Sequence, residues 1–210
     1  MRFRKSIFVG AAEERLENLI KERLSPGADK DEIDGRIWDL FGEEWCIMFT
    51  DLSGFSRKSA QFGIIHFLQA IYESEVLLAP VLDKYGGILL QAVGDSFLIM
   101  FRNVDKAIIA SIEINRVLRD HNKDRPEEEK VLICIGLGFG RVLRLADTQV
   151  FGKEVNFAGK LGEDFARAGE ILVTHAVKEH AGQVPGISFR PIDRIPSGAD
   201  KAYSIIYKID

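Results

Sequence analysis

The sequence predicts an α+β fold: a ferredoxin-like βαββαβ core sheet flanked by helices and preceded by an N-terminal helical extension. Three observations predict it. The apolar run Trp45 to Phe49 is too short for a helix and breaks at Asp51, just before Ser53-Gly54, as a buried strand does. Two more apolar runs, Ile88 to Val93 and Phe97 to Phe101, are separated by Gly94-Asp95. Glycine at the first central position of a two-residue loop suits a type II′ hairpin turn. Segments with helical spacing stand on both sides of this hairpin and a strand follows the second, which is the order of a split βαβ core.

Each element has its own local cause. Residues 11 to 24 place Leu16, Leu19, Ile20 and Leu24 among charges, an amphipathic helix able to pack on the domain or on a partner. The polar segment Ser25 to Asp31 reads as a linker, and Ile33 to Phe41 with Trp38 leads into the first strand. A helix from Ser56 to Tyr85 is predicted by Ile64, Phe67, Leu68, Ile71 and Leu78, with Pro80 able to kink its end and Gly86-Gly87 stopping it. The next helix, Asp105 to Asn122, carries Ala107, Ile108, Ile112, Ile114 and Leu118, and the charged run 125 to 130 is a solvated loop. Strands Val131 to Phe139 and Arg141 to Leu145 precede a helix Val155 to Ala168 and a strand Ile171 to Thr174. Two last strands cover Ile187 to Ile192 and Ala202 to Ile209.

Composition narrows the function classes. With 210 residues, 46% of them hydrophobic, the chain can hold one well-cored domain plus a short extension. Net charge is −4, no basic stripe points to nucleic acid, and no apolar run approaches the roughly 20 residues of a membrane helix. The basic start gives way at once to Glu13 and Glu14, unlike a signal peptide. Cys46 and Cys134 fall in strands, where reduced structural cysteines sit, so a cytoplasmic protein is expected. His66, His121, His175 and His180 lack metal-ligand spacing.

The candidate chemistry lies in Asp51 and Asp95, two acids at exposed strand ends. Hard divalent cations take carboxylate oxygens and leave remaining positions to water and substrate phosphates. Either acid alone is also what an ordinary turn would use.

The pair, its order and its spacing resemble the class III nucleotidyl cyclase catalytic domain, the adenylate and guanylate cyclase family. Phe49 to Phe55 matches its F-x-D-x-x-G-F stretch and Gly94-Asp95 its G-D hairpin. Phe151 to Leu161 is close to G-x-x-V-N-x-A-A-R-L, and Gly169 to Thr174 looks like G-x-I-x-V-S. The resemblance implies a catalytic domain over 43 to 210 behind an extension and linker over 1 to 42, with no sensor domain ahead of it. It implies that Asp51, Asp95 and the backbone carbonyl of Leu52 hold two divalent ions, Mg²⁺ or Mn²⁺. One ion would lower the pKa of the substrate 3′-hydroxyl and the other would clamp the β and γ phosphates.

By the same resemblance Asn156 orients the ribose and Lys160 stands where the family has a transition-state arginine. Four residues apart on a predicted helix, they share a face. Lysine keeps the charge but loses the planar fork that binds two phosphate oxygens, and such preorganised charges are worth on the order of 3 kcal/mol. Gly159 and Gly162 weaken this helix by roughly 1 kcal/mol each relative to alanine, which close approach to a ligand or partner, or helix packing, would explain. Arg141 aligns with a position that binds triphosphate in some members. The family's late phosphate lysine has no counterpart, since Ser197 falls there and Lys201 is out of register.

Base recognition departs most from the family. Gln91 and Gln149 occupy the base-reading positions, matching neither the adenine nor the guanine pattern, and an amide offers both donor and acceptor. ATP, GTP and pyrimidine triphosphates stay open, and in layout the chain also resembles the pyrimidine cyclases of bacterial phage defence. In this family metal ligands come from one chain and the base readers, asparagine and cation from the other, so a C₂ homodimer with two equivalent sites is implied. Two other readings stand beside the cyclase: a degenerate domain that binds nucleotide or a partner without turnover, and an interaction module built on the N-terminal helix.

Overall fold

A computed structural model describes the backbone of residues 2–54 and 62–208 and the side chains of 11–54 and 62–208. Phe55, and the expected start of the following helix at Ser56, lie outside the described residues.

The N-terminal extension is a helical pair. Helix α1 (Arg2–Leu24) starts earlier than its apolar spacing suggests, and Gly27, at φ 79°, turns the chain after it. Helix α2 (Lys30–Phe41) corrects the sequence reading, which had a linker and lead-in here. Asp29 caps it by accepting from the Glu32 amide at 3.1 Å, and Ile33, Ile37 and Phe41 recur at helical spacing on the buried side. Ion pairs Arg23–Asp34 (2.6 Å) and Arg36–Glu22 (2.7 Å) hold the helices together. Their shared core, Leu19, Ile33, Ile37 and Phe41, closes on Leu145 and Leu143, with Ala12 and Leu16 beside it.

The sheet is built around strand β1 (Gly42–Leu52), which pairs antiparallel with β3 (Ser96–Phe101) on one side and β4 (Ile133–Leu145) on the other. Strand β2 (Ile88–Val93) pairs with β3 across the Gly94-Asp95 turn, Val93 facing Ser96 and Gly94 at φ 61°. The order β2-β3-β1-β4, all antiparallel, is the expected ferredoxin-like core. Beyond it, β6 (Ile171–Thr174) runs parallel to β4, followed by β8 (Ala202–Tyr207) and β7 (Ile187–Ile192). A short strand β5 (Gln149–Phe151), which periodicity could not reveal, folds back on β4.

Helices α3 (Ile64–Tyr85) and α4 (Val104–Asn122) cover one face, over a core that includes Met48, Ile99, Ile108, Ile135 and Leu137. Pro80 lies inside α3, and Gly86, in the left-handed region at φ 71°, ends it as expected. Contrary to the reading of the sequence, α3 is long and apolar enough to cross a membrane by length and composition alone. Here Phe67, Leu78, Val81 and Leu82 seat it on the core, while Ile65, Leu68, Tyr72 and Val76 leave an apolar stripe exposed. Buried Asn122 ends α4 and latches Val131 with two hydrogen bonds, of 2.7 and 2.9 Å, which fixes where β4 begins.

Helix α5 (Lys153–Lys160) covers the other face, over Trp45, Ile47, Met100, Val142 and Val150. The sequence expects this helix to run to Ala168. Instead it widens at Leu161–Phe165 into a π turn, closed by the Ala166 amide on the Leu161 carbonyl at 2.8 Å. A short helix α6 (His175–His180) follows β6, another element missed by periodicity. Both cysteines are free and buried, and burial pushes the Cys134 thiol up to about 11.

Close approach of α5 to β4 depends on bare backbone. A methyl group at Gly136 would strike the Ala158 carbonyl and the Gly162 amide, and one at Gly138 the Glu154 carbonyl. Gly162 itself lies over β1, where a Cβ would sit 3.0 Å from the Phe49 oxygen. Gly162 therefore serves packing, whereas a Cβ at Gly159 would meet the Phe49 ring at an ordinary 3.8 Å. Gly136→Ala is expected to lower stability by about 2 kcal/mol, the cost of overpacking a tight core, in urea unfolding monitored by circular dichroism.

Candidate functional site

Asp51 stands one residue before the end of β1, opposite Cys134, where the strand leaves the sheet. Its Oδ1 accepts from the Ser96 hydroxyl at 2.9 Å, linking the strand end to the hairpin that carries Asp95. Glu163, in the π turn, reaches the same hydroxyl at 3.5 Å. Two acids thus reach one serine, the chain neighbour of Asp95. Burial pushes the Asp51 carboxyl up to about 6, opposed by the Ser96 hydrogen bond and reinforced by the charges of Asp95 and Glu163. Burial also raises Asp95, and it raises Glu163 together with the neighbouring Asp164. Ser96 lies inside the quoted hairpin motif. Glu163 carries no sequence signal beyond following Lys160 by one helical turn.

These residues fit a divalent cation. The donors are hard oxygens, and charge held against desolvation at a strand end is what a cation would relieve. Leu52, opposite Ile133, follows Asp51 directly. Among the described residues no three His, Cys, Asp or Glu side chains are gathered as a complete metal cage, so protein side chains would supply only part of a coordination shell.

The other expected residues assemble elsewhere. Gln91, on exposed β2, donates through Nε2 to the Thr148 carbonyl at 3.1 Å, which brings it beside Gln149 at the start of β5. Gln149 Nε2 in turn donates to Glu13 of α1 at 3.2 Å, a contact without any sequence signal. Asn156 and Lys160 project from α5 to solvent, and Lys160 pairs with Asp164 at 3.5 Å. Arg141 goes to the N-terminal extension: its guanidinium lies 4.7 Å from the centre of the Trp38 ring and donates to the Trp38 carbonyl at 3.3 Å. It faces Glu44 across the strands, seven residues before Asp51 and so roughly 20 Å along β1. Within one chain the carboxylates are gathered and the two glutamines are gathered, but Arg141 joins neither group.

Residues 42–203 match the adenylate and guanylate cyclase catalytic domain family, and the chain belongs to it. Solved structures agree in fold. The adenylyl cyclase CyaB from P. aeruginosa superposes with a TM-score of 0.66 at 23% identity, covering 80% of this chain and 96% of that one. The guanylate cyclase domain of RhGC from Catenaria anguillulae, solved with GTP, gives 0.65 at 18% identity over 80% and 98%. Among curated proteins, the serine/threonine-protein kinase pkn2 of Myxococcus xanthus is 28% identical over 131 residues, 62% of this chain. The match spans only 16% of that kinase's length.

The raised Asp51 pKa has a measurable consequence. In the metal-free protein the folded state holds this proton up to about pH 6, whereas the unfolded chain releases it near 3.8. The folded state therefore binds more protons between these values, and its stability falls as pH rises through that window. Asp51→Asn should flatten that fall, so that its melting temperature gains on the parent protein from pH 4 to pH 7 in scanning calorimetry with chelator.

Proposed function

We propose that this protein is a nucleotidyl cyclase that converts a nucleoside triphosphate into a 3′,5′-cyclic nucleotide and pyrophosphate at a homodimer interface. Membership in the cyclase family carries the reading, supported by the two carboxylates that the β1 end and the hairpin bring to Ser96. Asp51, Asp95 and the Leu52 carbonyl of one protomer would hold two divalent ions, Mg²⁺ or Mn²⁺. When bound, they supply a more acidic 3′-hydroxyl and neutralise phosphate charge.

This chain's side chains account for the remainder. Asn156 orients the ribose so that its 3′ oxygen faces the α phosphorus, and Lys160 places positive charge where the phosphate oxygens gain it. The 3′ oxygen passes its proton to solvent water and bonds to the α phosphorus as the bond to the bridging oxygen breaks, and pyrophosphate leaves with that electron pair. Gln91 and Gln149 face the base, and Arg141 is the weakest assignment because Trp38 already engages it.

A second copy of the chain would cover apolar side chains left exposed. Val93 on β2 is 70% exposed and Phe151 on β5 49%, and the α3 stripe of Ile65, Leu68, Tyr72 and Val76 is exposed as well. Large apolar patches of this kind mark interaction sites. The second reading, a domain that binds nucleotide without turnover, is favoured by one observation: Lys160 pairs at 3.5 Å with Asp164 of the adjoining π turn.

Pure protein incubated with each nucleoside triphosphate and Mg²⁺ or Mn²⁺ should yield cyclic nucleotide by mass spectrometry. Asp51→Ala should lower the rate at least about a hundredfold, and Lys160→Arg should raise it about tenfold by restoring the fork. Nucleotide binding without product from any triphosphate would establish the second reading instead. Shared sites are tested by mixing: Asp51→Ala and Asn156→Ala proteins, each inactive, should recover about a quarter of the parent rate, since half the random dimers carry one intact site. No recovery would count against a site built from two chains.

A further inference from the structure

On the face of the sheet away from α5, a cleft of about 400 Å³ opens between the last turns of α4, the start of β4 and the loop Ala168-Gly169. Small-molecule sites have volumes of roughly 300–1,000 Å³. Leu118, Val131 and Ile133, all buried, line its inner side. The walls are tied to one another. Asn115 of α4 spends both its N–H groups, on the Gly169 carbonyl at 2.9 Å and the Tyr207 hydroxyl at 2.6 Å, while the Gly169 amide donates to the Ile133 carbonyl at 2.8 Å. Asn122 makes the corresponding latch to Val131. The cleft is therefore preformed.

Its charge is one-sided. Arg119, Lys123 and Lys130 line the cleft, and among the described residues no Asp or Glu does. Arg119 pairs with Asp120 at 3.7 Å and Lys130 with Glu127, but the side chains of those two acids are 76% and 82% exposed, and pairs so open to water are weak. An anion inside the cleft would meet the cations with water partly excluded. A phosphate ester carrying several charges would leave the apolar inner side uncovered, and a neutral apolar molecule would make no use of the cations. The lining matches an apolar body that bears one carboxylate.

Two walls of the cleft continue into the candidate site. The Leu132 carbonyl, in the lining, accepts from the Ser53 amide at 2.8 Å, directly after Asp51 and Leu52. Ala168-Gly169 follows the π turn that carries Glu163 and is closed by the Ala166 amide. We propose that this cleft is a regulatory site for a small molecule with an apolar body and one carboxylate, whose occupancy is transmitted to the Ser53 strand end and to the π turn. Occupancy changes which arrangement of these walls is favoured, and the walls hold Ser53 and Ala166 by backbone hydrogen bonds. Binding is independent of the cyclase reading, and only the effect on turnover rests on it.

The probe is 1-naphthoate, with uncharged 1-naphthamide as a control of like shape, each titrated into the full ¹⁵N-labelled chain and followed by amide shifts. Naphthoate should shift the amides of Val131, Leu132 and Gly169 saturably, bind at least about fivefold tighter than naphthamide, and move Ser53 and Ala166 in the same titration. Ala168→Phe, at an exposed position in the lining, fills the cleft and should weaken binding at least about tenfold. Lys123→Glu, exposed at the end of α4, should cut the preference for naphthoate at least about threefold, and it decides the matter if Ala168→Phe does not fold. Equal binding of the two probes overturns the proposal, as does naphthoate bound with Ser53 and Ala166 unmoved, or a preference unchanged in Lys123→Glu. With active protein, saturating naphthoate should change the rate of cyclic nucleotide formation at least about twofold, and an unchanged rate overturns the regulatory role. No cyclic product at all counts against the cyclase reading alone, since binding and the Ser53 and Ala166 shifts stand without it.

Discussion

The candidate site depends on how closely helix α5 can lie on the backbone of β1 and β4. At Gly136 and Gly138 there is no room for a Cβ and at Gly162 little, and the helix descends until its own carbonyls and amides meet the strands. That approach carries Glu163 to the Ser96 hydroxyl and sets where Asn156 and Lys160 emerge. Buried Glu154 supports it, accepting from the Thr174 hydroxyl at 2.9 Å at the end of β6. A helix held one side chain further out would take Glu163 away from Ser96. Interiors packed to crystal density transmit such a displacement rather than absorb it.

Electrostatics at the carboxylate end work against the isolated chain. Asp51, Asp95 and Glu163 are all pushed toward the neutral form, with burial the first cause in each case. Lys160 is drawn into an ion pair with Asp164 that is exposed on both sides and so contributes little to stability. Cations and a triphosphate would change both conditions together, giving the carboxylates a counter-charge and the lysine a stronger partner. Strain of this sort is common where a fold is arranged for a ligand.

The N-terminal extension joins the domain on the side that carries Gln91 and Gln149. Its two helices share a core with the end of β4, Arg141 stacks on Trp38 of α2, and Gln149 is hydrogen-bonded to Glu13 of α1. A segment whose amphipathic pattern could serve several partners is thereby committed to the catalytic domain.

Local pattern was enough for the strand ending in Asp51, the hairpin bearing Asp95, the stop at Gly86 and the strand Ile171–Thr174, because each is governed by neighbours in sequence: apolar runs, turn chemistry and glycine at positive φ. The four ordered motifs carried the family. Helix α2 was legible too, in the Asp29 cap and the spacing of Ile33, Ile37 and Phe41, but a polar opening masked it. Other features had no local signature. The three residues of β5 are too short for periodicity, the π turn replaces helix where glycines meet the sheet, and the convergence of Glu163 on Ser96 and of Glu13 on Gln149 joins residues 67 and 136 positions apart. Sequence by itself determined the family and which polar groups this protein holds at the strand end, the hairpin and helix α5. Tertiary structure decided which way those groups face, because the orientation of an amide or carboxylate is set by the partner packed against it, and that partner comes from a distant part of the chain.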